Sequence, residues 1–151
     1  MRLCNVSVVV RVDAELDESA VNVGQTENII VSQWKEISAD EKHELRNRFD
    51  EILRPLGLQT RLVVMERANS IALYFICMTL SALMSLREQW GSEQLTDIVQ
   101  SLFTFLSGAT QIVRANNLIW PQTDYKRCLE FFSSVQGDET TTATQNNCKK
   151  T

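Results

Sequence analysis

Few residues in this chain have the type and spacing to do chemistry. His43 is the single histidine. It sits among Glu41, Lys42 and Glu44 on the polar side of a helical pattern, where a solvated imidazole is expected. Cys4, Cys77, Cys128 and Cys148 form no C-x-x-C pair, and only His43 could join them on a metal. Three of them, Cys4, Cys77 and Cys128, fall inside apolar patterns and read as buried free thiols. Asp13, Glu15, Asp17 and Glu18 cluster without the loop glycine or terminal bidentate Glu of a calcium loop, so they read as a solvated acidic loop. The phosphate-loop, dinucleotide, nucleophile-elbow and zinc-protease motifs are all missing. Five glycines leave little material for loops that cradle phosphate. The sequence therefore predicts a non-enzymatic protein with no cofactor and no metal.

Surfaces remain as carriers of function. The net charge is -4 and the basic residues are scattered, which argues against nucleic acid as a partner. An RNA-binding sheet would need aromatics beside basic residues in an RNP-like motif, and the strands lack it. The first apolar run is interrupted by Arg11 and Asp13 too soon for a signal peptide. Together with unpaired cysteines this predicts a reducing, cytoplasmic setting.

The elements that would position a surface follow from periodicity. Leu3–Val12 alternates as a strand, with Cys4, Val6, Val8, Val10 and Val12 on one face and Leu3, Asn5, Ser7, Val9 and Arg11 on the other. Within Asp13–Ser38, Ile29, Ile30, Val31 and Trp34 suggest a short helix. Ser38-Ala39-Asp40-Glu41 has the form of a capping box. The helix it would start carries Leu45, Phe49, Ile52, Leu53 and Leu56, and Pro55 and Gly57 close it. Leu58–Glu66 alternates again, with Leu58, Thr60, Leu62 and Val64 opposite Gln59, Arg61, Val63 and Met65. Ile71–Met78 is an apolar run suited to a central strand. Thr79 is placed to cap a helix over Leu80–Trp90, with a break at Gly91-Ser92. Leu95, Ile98, Val99, Leu102, Phe103 and Leu106 continue as an amphipathic stripe to Gly108. Thr110–Leu118 reads as a fourth strand and Pro121 opens a last helix with Tyr125, Cys128, Leu129 and Phe132 inward.

One segment decides the class. The nineteen residues Ala68 to Leu86 carry no charge, a length that could cross a bilayer as one helix. A small membrane-anchored protein spanning 68–86 is thus the competing reading. The run is rich in β-formers before Thr79 and helix-like after it, and it contains Asn69, Ser70, Ser81 and Ser85. It is therefore expected to split into a strand and a helix start. The order then becomes βαββαβ, an α+β ferredoxin-like sandwich. It has a four-stranded antiparallel sheet, helices on one face and a C-terminal helix. Residues 1–136 would form this domain, and the polar composition of 137–151 predicts a disordered tail.

Helices on one side leave the other side of the sheet either open or covered by the Asp13–Ile37 segment or the last helix. Leu3 and Val9, with either Tyr74 and Ile76 or Leu73 and Phe75, would make it partly apolar, as suits protein docking. A ligand-binding or RNA-binding use of the same face is the alternative. The chain also resembles the N-terminal domain family of TRADD, the TNF-receptor-associated death-domain adaptor, over roughly Val6 to Asp138. Asp13-Ala14-Glu15-Leu16-Asp17 is similar to that family's strand exit, which ends in Ser-Leu-Asp. Ser101-Leu102 is similar near the end of the second long helix. Asp124-Tyr125-Lys126-Arg127-Cys128-Leu129 is similar to the family's Asp-Glu-Glu-Arg-Cys-Leu. The resemblance implies an adaptor in TNF-receptor and apoptotic signalling that docks the C-terminal domain of a TRAF protein through the sheet face and a hairpin. By position it implies partner contacts at Val9 and Arg11, where the family has aromatics. It adds Glu66 and Ala68 near the family's hairpin His and Ser, and Leu73 near its docking Ile.

Overall fold

The computed structural model describes residues 7–16, 23–68, 70–108 and 113–140. Strand β1 (Val8–Leu16) is followed by helices α1 (Val23–Ala39) and α2 (Arg46–Leu53), the latter extended by one tight turn at Arg54–Leu56. Then come strands β2 (Thr60–Arg67) and β3 (Ile71–Cys77), helices α3 (Leu80–Gly91) and α4 (Gln94–Leu106), strand β4 (Ala115–Ile119) and helix α5 (Gln122–Thr140). The strands form one sheet in the order β2-β3-β1-β4, every neighbouring pair antiparallel. This is the ferredoxin-like α+β sandwich with a C-terminal helix that the alternation and order of elements predict.

Burial explains the layers. In β1, Val8, Val10, Val12, Ala14 and Leu16 point into the core, and their register partners Cys77, Phe75, Leu73 and Ile71 in β3 are buried with them. The stripe Leu95, Ile98, Val99, Leu102, Phe103 and Leu106 of α4 is buried throughout and closes on the same core. Burying apolar side chains of this size contributes about 1.5–3 kcal/mol each, the main force that holds sheet to helices. The uncharged run divides at Thr79 into β3 and α3. The Thr79 hydroxyl accepts the Ala82 N–H at 3.0 Å and caps α3. Among the described residues no helix is long and apolar enough to cross a membrane.

Several boundaries differ from the sequence reading. β1 runs on to Leu16, so the first half of the acidic segment is strand: Ala14 and Leu16 face the core while Glu15 faces out. Leu3, Cys4 and Cys148 lie outside the described residues. The short helix is the long α1, because Ile30, Val31, Trp34 and Ile37 give it a buried stripe. The capping box at Ser38 is not formed. Ser38 lies in the last turn of α1 and its hydroxyl donates back to the Lys35 carbonyl, while Asp40 Oδ1 accepts the Lys42 N–H at 2.9 Å in a turn. Asp side chains offer the backbone this local alternative to a helix start. His43 is half-buried in the same connection, and its Nδ1 accepts the Leu45 N–H at 3.1 Å. β4 starts at Ala115 rather than Thr110, and α5 continues past Gln136 to Thr140.

The alternation in β2 is broken once. Leu62 pairs with Phe75 but Val64, not Val63, pairs with Tyr74, so one extra residue enters the strand. Such a bulge shifts the remaining side chains by one position. Met65 thereby joins Thr60 and Leu62 on the core side and Val64 joins Arg61 on the outer face, whereas strict alternation groups Val64 with Leu62 and Met65 with Arg61.

Candidate functional site

The face of the sheet turned away from the core is a grid set by strand register. One row holds Arg61, Ile76 and Val9, the next Val64, Tyr74 and Arg11, and the third Glu66, Ala72, Asp13 and Ile119. Beyond it, Glu15 pairs with Asn117. Val9 is 59% exposed, Val64 41% and Ile119 37%. Tyr74 and Ile76 are half-buried between them.

A polar network crosses three strands of this grid. Arg11 Nη2 lies 3.1 Å from Asp13 Oδ1, and its guanidinium carbon lies 5.7 Å from the Tyr74 ring centroid. The Tyr74 hydroxyl donates to Glu66 Oε1 at 3.1 Å. The hydrogen bond to Asp13, together with its charge, holds the Arg11 guanidinium pKa above its ordinary value. The network is exposed, so it orients side chains more than it stabilises the fold. It ties the charged side chains in place beside the exposed Val9 and Val64.

Each residue expected at a partner contact can now be located. Val9, Arg11 and Glu66 lie on this face and are exposed. Ala68 lies in the turn after β2, where its N–H donates to the Ser70 carbonyl at 2.8 Å. Leu73 is corrected: it is 0% exposed, on the covered face opposite Val12 and Met65. The choice left open by alternation thus falls to Tyr74 and Ile76. Val64 and Ile119 join them without a signal in the sequence: nothing in Val63-Val64 marks a bulge, and β4 runs one residue past the Leu118 end that the pattern predicts.

A second cluster lies on the helical side. Arg87 of α3 sits 4.1 Å from the Trp90 ring centroid, 4.8 Å from that of Tyr125 and 5.0 Å from that of Trp120. Its Nη1 donates to the Trp120 carbonyl at 2.8 Å and its Nη2 to Gln122 Oε1 at 2.7 Å. Burial pushes its pKa down. The aromatic box is filled by the chain's own cation, and it ties α3 to the entry of α5. An open groove of about 450 Å³ between α2 and α4 is lined by Arg48, Glu51, Ile52, Gln100, Ser101, Thr104 and Phe105. Among the described residues no three His, Cys, Asp or Glu side chains gather where a metal ion could be held.

The chain matches no protein-family profile, no curated protein and no solved structure.

Proposed function

We propose that this chain is a non-enzymatic protein-interaction domain, an adaptor that docks a protein partner on the open face of its sheet. The observation that carries the reading is the pairing of exposed Val9 and Val64 with half-buried Tyr74 and Ile76 on one uncovered face. Apolar groups rimmed by fixed charge are the usual make-up of a docking surface. The resemblance to the TRADD N-terminal domain supports the same face and suggests the C-terminal domain of a TRAF protein as the first partner to try. Membership of TNF-receptor and apoptotic signalling, and a cytoplasmic setting for the free thiols Cys77 and Cys128, belong to this proposal.

The test is capture of a TRAF C-terminal domain by the immobilised chain at low micromolar concentration. Val9→Asp, which places a charge on the exposed face without touching the core, is expected to abolish capture. Capture unchanged by Val9→Asp and by Val64→Asp together would show that a partner uses some other surface.

A further inference from the structure

The open face is polarised along its strands. Arg61 and Arg11 lie in the first two rows, and Glu66, Asp13 and Glu15 in the rows beyond. One end of the face is therefore basic and the other acidic. Such a face is complementary to itself when turned over about an axis that lies in its plane and runs across the strands. With the axis along the row of Val64, Tyr74 and Arg11, the first row of one copy meets the third row of the other. Arg61 then faces the second copy's Glu66, and Glu66 faces its Arg61. The two Tyr74 rings and the two Val64 side chains meet at the axis. Each Arg11 is already tied to its own Asp13 at 3.1 Å, so the pair do not confront each other as bare charges. An axis along the strands does worse: each axis opposes one carboxylate to an apolar side chain, Asp13 to Val9 for the first and Glu66 to Ile119 for the second, but only the axis across the strands gives Arg61 a carboxylate partner.

We infer that the face binds a second copy of this chain through a two-fold contact in which Arg61 pairs with Glu66 of its mate. The inference rests on the reading that this face binds protein. It adds that self-pairing and partner docking compete for one surface. A two-fold interface repeats each contact twice, so one favourable charge pair on β2 counts double. From Val9 to Glu15 along the strands, and across four strands, the patch measures roughly 300 Å². A stable dimer needs about 800 Å² per partner. The pairing is therefore weak, and it yields to a tighter partner.

Sedimentation equilibrium of the full chain from about 5 to about 500 μM tests this. The expected result is a monomer–dimer equilibrium. Arg61→Glu alone and Glu66→Arg alone should each weaken it at least tenfold (about), since each sets like charges face to face. Mixed together, the two variants should regain association to within about threefold of the parent, because both contacts become opposite-charge pairs again. Both substitutions are at exposed positions, and circular dichroism melts of each variant check that it folds. A parent that stays monomeric overturns self-pairing but leaves docking of another protein standing, since that is read by capture at concentrations where the chain is monomeric. A dimer that survives both single substitutions places the interface elsewhere and overturns the inference. So does a mixture that fails to regain association.

Discussion

Arg87 and Trp120 are joined twice: a guanidinium N–H reaches the Trp120 carbonyl at 2.8 Å, and the guanidinium carbon lies 5.0 Å from the Trp120 ring centroid. Trp120 is buried and stands between β4 and α5. One side chain of α3 therefore fixes where the chain leaves the sheet and where the last helix begins.

Removing it should loosen that corner. Arg87→Ala loses two charge-assisted hydrogen bonds and three ring contacts, and is expected to cost about 2–3 kcal/mol in urea denaturation. Arg87→Lys keeps the charge but not the planar fork, and should recover less than half of the loss. A parent-like midpoint for Arg87→Ala would show that α5 is held by its apolar side alone.

The two faces of the central strands should respond in opposite ways. Leu73→Ala empties a fully buried position and is expected to cost about 2–5 kcal/mol. Val9→Ala, on the exposed face, should stay within about 0.5 kcal/mol of the parent. Chemical denaturation of both variants checks this. Equal losses would mean that the described face is covered in solution.

Cys77 gives a prediction about alkaline pH. Burial pushes its thiol from an ordinary 9.0 up to about 11, with a smaller opposing effect from a Thr60 hydrogen bond. The unfolded chain thus releases this proton first. Its contribution is complete below pH 9.0 and is lost as pH rises through about 11. The difference corresponds to about 3 kcal/mol. The parent should lose more stability than Cys77→Ala between pH 8 and 11 (about), and stability curves in the two backgrounds that run parallel would contradict this.

Glu93 sits between α3 and α4 with φ 70° and ψ 6°, a left-handed conformation. A residue with a Cβ is strained there, and glycine is not. Glu93→Gly is expected to raise stability by about 0.5–1 kcal/mol, while Glu93→Val lowers it by about as much or more. Thermal unfolding of both variants decides the matter.

Where local pattern and tertiary packing agree, the sequence was readable. Thr79 could be named as a cap because a hydroxyl sits one residue before a helical stripe, and the Leu95–Leu106 stripe could be named because all six apolar positions share one face. The failures have physical causes. Ser38 through Glu41 satisfies the pattern of a helix start, yet α1 already occupies Ser38, and only the length of its buried stripe reveals that. Asp13 and Glu15 read as loop because charge dominates their composition, although alternation with Val12, Ala14 and Leu16 continues. For the candidate site, alternation puts Val9 and Arg11 on the exposed side of β1, as the burial pattern of the strand does. Position-by-position analogy misplaced Leu73, since analogy carries no parity and a strand position one residue away faces the opposite side.

The extra residue at Val63 has a consequence for how the molecule meets its neighbours. β2 is the outermost strand of the sheet on one side, and an outer strand with regular, unpaired backbone groups can recruit strand after strand into a growing fibre. The irregularity at its midpoint, with Arg61 and Arg67 on either side, spoils that template. Lateral growth would have no natural end, whereas contact through a broad face stops at a finite complex. The kink thus denies a second strand the regular edge that open-ended growth requires.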